Sequence, residues 1–280
     1  MRQSSYNGTA SLYLIPTPIG NLDDITVRAL KTLEMVDLIL CEDTRESGKL
    51  LNYFKIKKKL VSCHEYNEEK IKEYVISQLK AGKNIGLVTD QGSPVISDPG
   101  YVVVKAVIEA QINVIALPGA TAFVPALTSS GIAPSPFLFY GFLQTKESKI
   151  KQELQSLKSL PYTLIFYEAP HRIEKSLGFM LEVFGNRKIS VHREISKLHE
   201  EICRGSIQEL LPIVPNLKGE FVIVVEGNHE VVDFSNLSVL EHVGIYLDDG
   251  MNEKDAVKLV AKERGVAKSI IYKEYHESKK

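Results

Sequence analysis

Leu87-Val88-Thr89-Asp90-Gln91-Gly92-Ser93-Pro94-Val95-Ile96-Ser97-Asp98-Pro99-Gly100 is the stretch on which the fold turns. An apolar run ends in a dense cluster of Gly, Pro, Ser and Asp, and a helical pattern starts at Tyr101. Gly92 and Gly100 permit unusual backbone angles, while Pro94 and Pro99 stiffen the loop. Rigid loops at the carboxyl ends of strands are where open α/β sheets bind small molecules. An ordinary strand-to-helix connection would look similar on its own. Two further loops of the same character, Pro16-Thr17-Pro18-Ile19-Gly20-Asn21 and Leu117-Pro118-Gly119-Ala120-Thr121-Ala122, shift the balance towards one backbone-lined pocket.

Working outward, short apolar strands are expected at Leu12–Ile15, Leu38–Cys41, Leu60–Ser62, Asn84–Thr89 and Asn113–Leu117, alternating with helical periodicity. Asp23 or Asp24 is the expected cap of the first helix. This rhythm predicts a mostly parallel sheet. The pattern restarts near Gly141, with a helix carrying Ile150, Leu154 and Leu157 and strands at Thr163–Tyr167, Lys188–Arg193 and Phe221–Glu226. The expected organisation is therefore α/β: an N-terminal α/β domain over 1–140, a second α/β domain over 141–228 and a helical tail over 229–280. In that tail five acidic residues and no Lys or Arg occur between His229 and Gly250. Asn252 and Asp255 then bracket a helix start, Gly265 suits a stop, and a last helix carries Ile270, Ile271 and Tyr275, an arrangement like a helix-turn-helix.

The 280 residues exceed the usual size of one domain. A formal net charge of −1 argues against a protein that coats nucleic acid non-specifically, though it leaves room for a local basic patch. Cys41, Cys63 and Cys203 are few, distant and without metal-ligand spacing, so neither a disulfide framework nor a zinc site is expected and a reducing, cytoplasmic setting fits. Met1–Ala10 lacks the apolar core of a secretory signal. The uncharged stretch from Ala110 to Thr145 is broken by Pro118, Pro125, Pro134 and Pro136. It suits the lining of a buried cleft and not a membrane span.

The chain contains no G-x-G, no phosphate-loop motif and no G-x-S-x-G elbow, which disfavours dinucleotide-binding, P-loop and hydrolase readings. Its polar clusters are Glu42-Asp43-Thr44-Arg45, His64-Glu65-Tyr66-Asn67-Glu68, Pro170-His171-Arg172, and Arg193-Glu194 with Lys197 and His199-Glu200-Glu201. Such clusters are either solvated, salt-bridged surface or a site in which Arg and Lys grip phosphate and a carboxylate or Lys handles a hydroxyl. His64, His171 and His199 share no ligand spacing, so no metal is expected.

In order along the chain, Leu12 to Leu22, Cys41-Glu42-Asp43-Thr44-Arg45, Asp90 to Gly100, Leu117 to Ala122, Phe166 to Arg172 and Arg193 to Glu201 together resemble the ribosomal RNA small subunit methyltransferase I family, a branch of the tetrapyrrole methylase superfamily. The resemblance runs from about residue 12 to 227 and is weaker in the tail. Departures are small: Asp90-Gln91-Gly92-Ser93 stands where the family usually reads Asp-Ala-Gly-Thr, and Tyr140 where Glu is frequent. The resemblance implies S-adenosylmethionine held in a cleft between two α/β domains, and methyl transfer to the ribose 2′-oxygen of a cytidine in the decoding region of small-subunit rRNA by a homodimer. It implies donor contacts from Pro18, Ile19, Gly92, Ser93, Ile96, Thr121, Ala122 and Tyr167, with the Gly219-Glu220 turn contributing. For the acceptor hydroxyl the choices are Glu194 and Lys197, then Asp43, and for RNA phosphates Arg45, Arg172 and Arg193. Two alternatives stay open: a superfamily methyltransferase acting on a tetrapyrrole or protein side chain, and a nucleic-acid-binding regulator built on the tail.

Overall fold

A computed structural model describes residues 2–5, 7–229, 237–248 and 250–278. It divides into two compact units, Met1–Asn228 and His229–Lys280. The first unit begins with strands β1 (Ser11–Leu14), β2 (Leu38–Cys41), β3 (Lys59–Ser62), β4 (Ile85–Leu87) and β5 (Asn113–Ala116), all parallel, in the order β3-β2-β4-β1-β5. Helices α1 (Val27–Met35), α2 (Thr44–Tyr53), α3 (Glu68–Lys80) and α4 (Tyr101–Glu109) connect them. The central strands read as unbroken apolar runs because both faces are covered. Ile39 packs with Ile15, Leu33 and Leu51 on one face, whereas Leu38 and Leu40 pack with Val75, Leu87 and Val103 on the other. Burying one such side chain is worth about 1.5–3 kcal/mol.

The strand order creates a switch point. From β1 the chain crosses β4 to reach β2, and from β4 it crosses β1 in the opposite sense to reach β5. Connections that part company at neighbouring strands open a crevice at their carboxyl ends. The loops after β1 and β4 flank that crevice.

The cap of α1 differs from expectation. Thr26 accepts from the Ala29 N–H at 3.0 Å, while Asp23 and Asp24 belong to a separate 3-10 turn capped by Asn21. Ile25, extended at φ −69° and ψ 132°, divides the turn from the helix.

After β5, α5 (Phe123–Ser129) leads into the second sheet: β6 (Phe137–Phe142), β7 (Thr163–Glu168), β8 (Lys188–Arg193), β9 (Glu201–Ser206) and β10 (Phe221–Val225), ordered β6-β7-β10-β8-β9. Only β6 and β7 are parallel; the remaining pairs are antiparallel. Helices α6 (Glu147–Leu157), α7 (Ile173–Phe184) and α8 (Ile207–Leu210) complete this half. Alternation along β7 and β10 sends Phe166 and Ile223 into a core with Leu154, Leu177 and Met180, and Ile165, Val222 and Val224 into a smaller core with Ala126 and Leu127 of α5. Thus α5 packs on the second sheet. The expected boundary after residue 140 falls inside β6.

The second unit consists, among the described residues, of α9 (Val239–Asp248), α10 (Glu253–Glu263) and α11 (Lys268–Glu277). They close around Val243, Val257, Val260, Ile271 and Tyr275. The Asn252 side chain accepts from the Asp255 N–H at 3.1 Å to start α10, and Gly265, at φ 64°, follows its end. Part of the acidic stretch read between His229 and Gly250, namely 230–236 and 249, lies outside the described residues. Among the described residues no helix is long and apolar enough to cross a membrane.

Helix α4 begins at Gly100, which has no side chain to cap it. The carboxylate of Glu68, 5 % exposed on α3, takes that role: it accepts from the N–H of Gly100 and, at 3.1 Å, from that of Val102. An anion at a helix N-terminus satisfies orphan donors and meets the positive end of the dipole. Glu68→Ala is therefore expected to cost about 2 kcal/mol in chemical denaturation, and a loss under about 0.5 kcal/mol would refute this capping role.

Candidate active site

Three loops meet at the switch point, and specific contacts knit them together. Thr17 and Gly92 form an antiparallel bridge: the Thr17 N–H donates to the Gly92 carbonyl at 2.9 Å and the Gly92 N–H to the Thr17 carbonyl at 3.1 Å. The Thr17 hydroxyl also donates to the Thr89 carbonyl at 3.0 Å. The third loop joins through the Ser93 hydroxyl, which donates to the Ala120 carbonyl at 3.2 Å. Gly119 packs so closely on the Pro16 ring that a Cβ there would lie 2.5 Å from the Pro16 Cβ. Any side chain at 119 would push the first and third loops apart.

These loops form one wall of a cavity of ≈ 450 Å³, within the roughly 300–1,000 Å³ range of small-molecule sites. Ile19, Gly92, Ser93, Ile96, Thr121 and Ala122 contribute from the first half. The second sheet and its loops supply Phe142, Tyr167, Ile195, Lys197, Glu220 and Val222. Val95 and Ser97, at φ 75° and 63°, hold left-handed backbone in the second loop, as Glu194 and Ser196, at 52° and 68°, do in the loop opposite. Such conformations cost on the order of 1–3 kcal/mol each and persist only where surrounding packing enforces them.

The opposite loop is fastened across the cleft. The Ser196 hydroxyl donates to Asp24, and the Lys197 stem lies over Gly20 so closely that a Cβ at residue 20 would collide with it. The Lys197 ammonium pairs with Glu194 at 2.9 Å and Glu220 at 2.8 Å. Burial opposes its charge, yet the two carboxylates outweigh burial and raise its pKa. For Glu194 burial is likewise outweighed, by the Glu220 N–H at 2.9 Å and by Lys197, and its pKa falls. Both groups are held charged.

Asp43 does not line the cavity but bonds to Asp90, which does. Its carboxylate is paired with Arg45 at 2.6 Å and lowered by that contact to about 2, while its N–H donates to Asp90 at 3.3 Å. Pro18 is buried between the bridging Thr17 and the cavity-lining Ile19. The three arginines differ in freedom. Arg45 is exposed and pairs locally with Asp43. Arg172 donates to the Leu143 and Gln144 carbonyls at 2.8 and 2.9 Å and pairs with the buried Glu168 at 3.2 Å. Arg193 pairs with Glu201 at 3.0 Å and donates to the Lys218 carbonyl at 3.0 Å.

Among the cavity-wall residues to which the sequence reading gave no role are two carboxylates of the decisive loop, Asp90 and Asp98. Burial pushes both carboxyl groups up, opposed at Asp98 by the Thr89 hydroxyl, which donates to it at 2.8 Å. Both stand in the decisive loop, but their altered basicity depends on burial that spacing does not disclose. A carboxylate raised in this way is a better proton acceptor near neutral pH than Asp43 or Glu194. Among the described residues no group of three or more His, Cys, Asp or Glu side chains gathers to hold a metal ion.

The model of the Tetrapyrrole (Corrin/Porphyrin) Methylases matches residues 11–211, which take in the first sheet, the second sheet up to β9, and the cavity lining apart from Glu220, Phe221 and Val222. The chain is 46 % identical to the ribosomal RNA small subunit methyltransferase I of Bacillus subtilis (strain 168), over 98 % of each chain. It is 45 % identical to the protein of that name from Halalkalibacterium halodurans, over 98 % of this chain and 99 % of the other. Among solved structures, the uroporphyrin-III-C-methyltransferase of Thermus thermophilus superposes with a TM-score of 0.54 at 20 % identity, covering 78 % of this chain and 94 % of that one, a likeness of fold. The loops knitted at the switch point, the two sheets and the relatives agree: this chain belongs to the tetrapyrrole (corrin/porphyrin) methylase family, in the branch of the ribosomal RNA small subunit methyltransferase I proteins.

Proposed function

We propose that this chain methylates small-subunit ribosomal RNA with S-adenosylmethionine as donor, and that the acceptor is the ribose 2′-oxygen of a cytidine in the decoding region. The observation that carries the reading is the near-full-length relationship to proteins named ribosomal RNA small subunit methyltransferase I, at 45–46 % identity. Methylation of a tetrapyrrole or a protein side chain has only the shared fold in its favour.

The cavity suits that donor. Its loops present backbone and small side chains at Gly92, Ser93, Thr121 and Ala122, where a ligand can meet amides and carbonyls directly. Ile19, Ile96, Phe142 and Tyr167 offer apolar wall, and Asp90 and Asp98 offer negative charge to a cationic ligand. When bound, S-adenosylmethionine supplies an electrophilic sulfonium methyl. The residues must then align the acceptor and exclude water, and positioning of that kind is worth about 7–11 kcal/mol in well-oriented systems. Lys197, with its ammonium held by Glu194 and Glu220, polarises the acceptor hydroxyl. Asp90 takes its proton, and Asp43 steadies Asp90 through its backbone N–H. Arg45 is the exposed arginine for an RNA phosphate, while Arg172 and Arg193 hold the frame of the cleft. By family resemblance the protein works in the cytoplasm, on the small ribosomal subunit, as a homodimer.

Mass spectrometry of small-subunit rRNA from cells with and without this protein is expected to reveal one 2′-O-methylated cytidine that disappears with the gene. An unchanged methylation pattern would sink the assignment. Lys197→Ala is expected to bind S-adenosylmethionine within about threefold of the unsubstituted protein but to transfer methyl about 100-fold more slowly. Calorimetry and a tritium-transfer assay measure the two quantities, and near-normal turnover would remove Lys197 from the chemistry.

A further inference from the structure

Beside the first cavity lies a second, more open one of ≈ 660 Å³, and Ile19, Ser93, Thr121 and Ile195 line both. The new wall comes from the third loop, from Val124 and Pro125 of α5, and from His192 of β8. His192 is 1 % exposed. Its Nε2 lies 2.8 Å from the Ser190 hydroxyl, and its Nδ1 has no hydrogen-bond partner. A buried polar atom left in this way costs stability and calls for an explanation in native structures.

The ring's protonation follows from its neighbour. Ser190 is fully buried and its hydroxyl has no other hydrogen-bond partner among the described residues, so it satisfies its hydrogen by donating to Nε2. That places the imidazole hydrogen on Nδ1, a buried N–H without a partner on a residue of the cavity wall. Burial, reinforced by the Arg204 guanidinium, lowers the pKa to about 4, so the ring is neutral near pH 7.

The charges around the cavity decide what it takes. Asp24 and Glu200 line it, with no Lys or Arg among its lining residues. Each carboxylate accepts one hydrogen bond from Ser196, through the hydroxyl and the N–H respectively, and among the described residues no donor meets its second oxygen. The nearby Arg204 guanidinium is engaged by the Ser129 and Ser130 carbonyls, so the two carboxylates disfavour a phosphate. A neutral, flat heterocycle fits the apolar walls of Pro118, Val124 and Pro125, with a ring acceptor towards His192 and a ring N–H or amino group towards a carboxylate.

We propose that this second cavity is a nucleobase subsite, which seats the base of the acceptor nucleotide against His192 Nδ1–H while its ribose reaches the adjoining cavity. The inference rests on the rRNA reading above and names the residue that would hold the base. The test uses unmethylated small subunits, intact or reconstituted with rRNA that is abasic at the acceptor nucleotide. On intact subunits His192→Leu is expected to lower kcat/KM about 30-fold, mostly through KM, with S-adenosylmethionine affinity unchanged within about twofold. His192→Asn, which keeps an N–H near the Nδ1 position, is expected to recover activity to within about threefold. On abasic subunits the unsubstituted protein and His192→Leu are expected to be equally poor, because the partner of the donor is gone. Val124→Trp, a change at a half-exposed position that fills the cavity by bulk, is expected to raise KM similarly and serves if His192→Leu does not fold. Near-normal KM in Val124→Trp, or a loss in His192→Leu that is equal on intact and abasic substrates, overturns the subsite. Absence of transfer by the unsubstituted protein overturns the rRNA reading itself.

Discussion

Two backbone hydrogen bonds between Thr17 and Gly92 govern the functional half of the molecule. They join loops that leave neighbouring strands in opposite directions, at the one place in the first sheet where the chain's course opens a crevice. Because Thr17 is 1 % exposed, these bonds are shielded from competing water, and the loop that follows is held firmly enough to keep Val95 and Ser97 in left-handed conformations. The third loop is added to this pair by Ser93 and by the contact of Gly119 with Pro16. A ligand therefore meets a surface organised before it arrives, and little binding energy is lost in ordering it.

Electrostatically the cleft divides its labour. Asp43 and Glu194 sit beside cations or amide donors and are kept ionised, whereas Asp90 and Asp98 lose hydration without full compensation and hold protons more tightly. Carboxyl groups pushed apart in this manner are equipped for different tasks. Lys197 bridges Glu194 and Glu220, so its charge is fixed in place as well as in sign.

The first sheet was legible because strands covered on both faces appear as apolar runs, and the three loops because Gly, Pro and Asp gather at strand ends. Strand β6 was hidden: Phe137–Phe142 is as uncharged as its surroundings and was read as cleft lining. Strand β9 was hidden for the opposite reason, since Glu201–Ser206 alternates polar residues at a sheet edge and continues a charged cluster. The antiparallel pairing of the second sheet depends on long-range contacts that no local spacing records. Within the site, Arg45, Arg172 and Arg193 look alike in sequence. Backbone carbonyls of other segments hold Arg172 and Arg193, whereas Arg45 is exposed and pairs within its own turn, a difference that local spacing does not record. The solitary Nδ1 of His192 is a property of its neighbours and has no sequence signature.

The covalent path between the two sheets has a consequence for the cavity. The chain passes from β5 to β6 once, through residues 117–136, and α5 on that path is anchored to the second sheet. Thr121 and Ala122, which line the cavity, lie on this single connection just before α5, so residues that join the two sheets are also residues that a ligand meets.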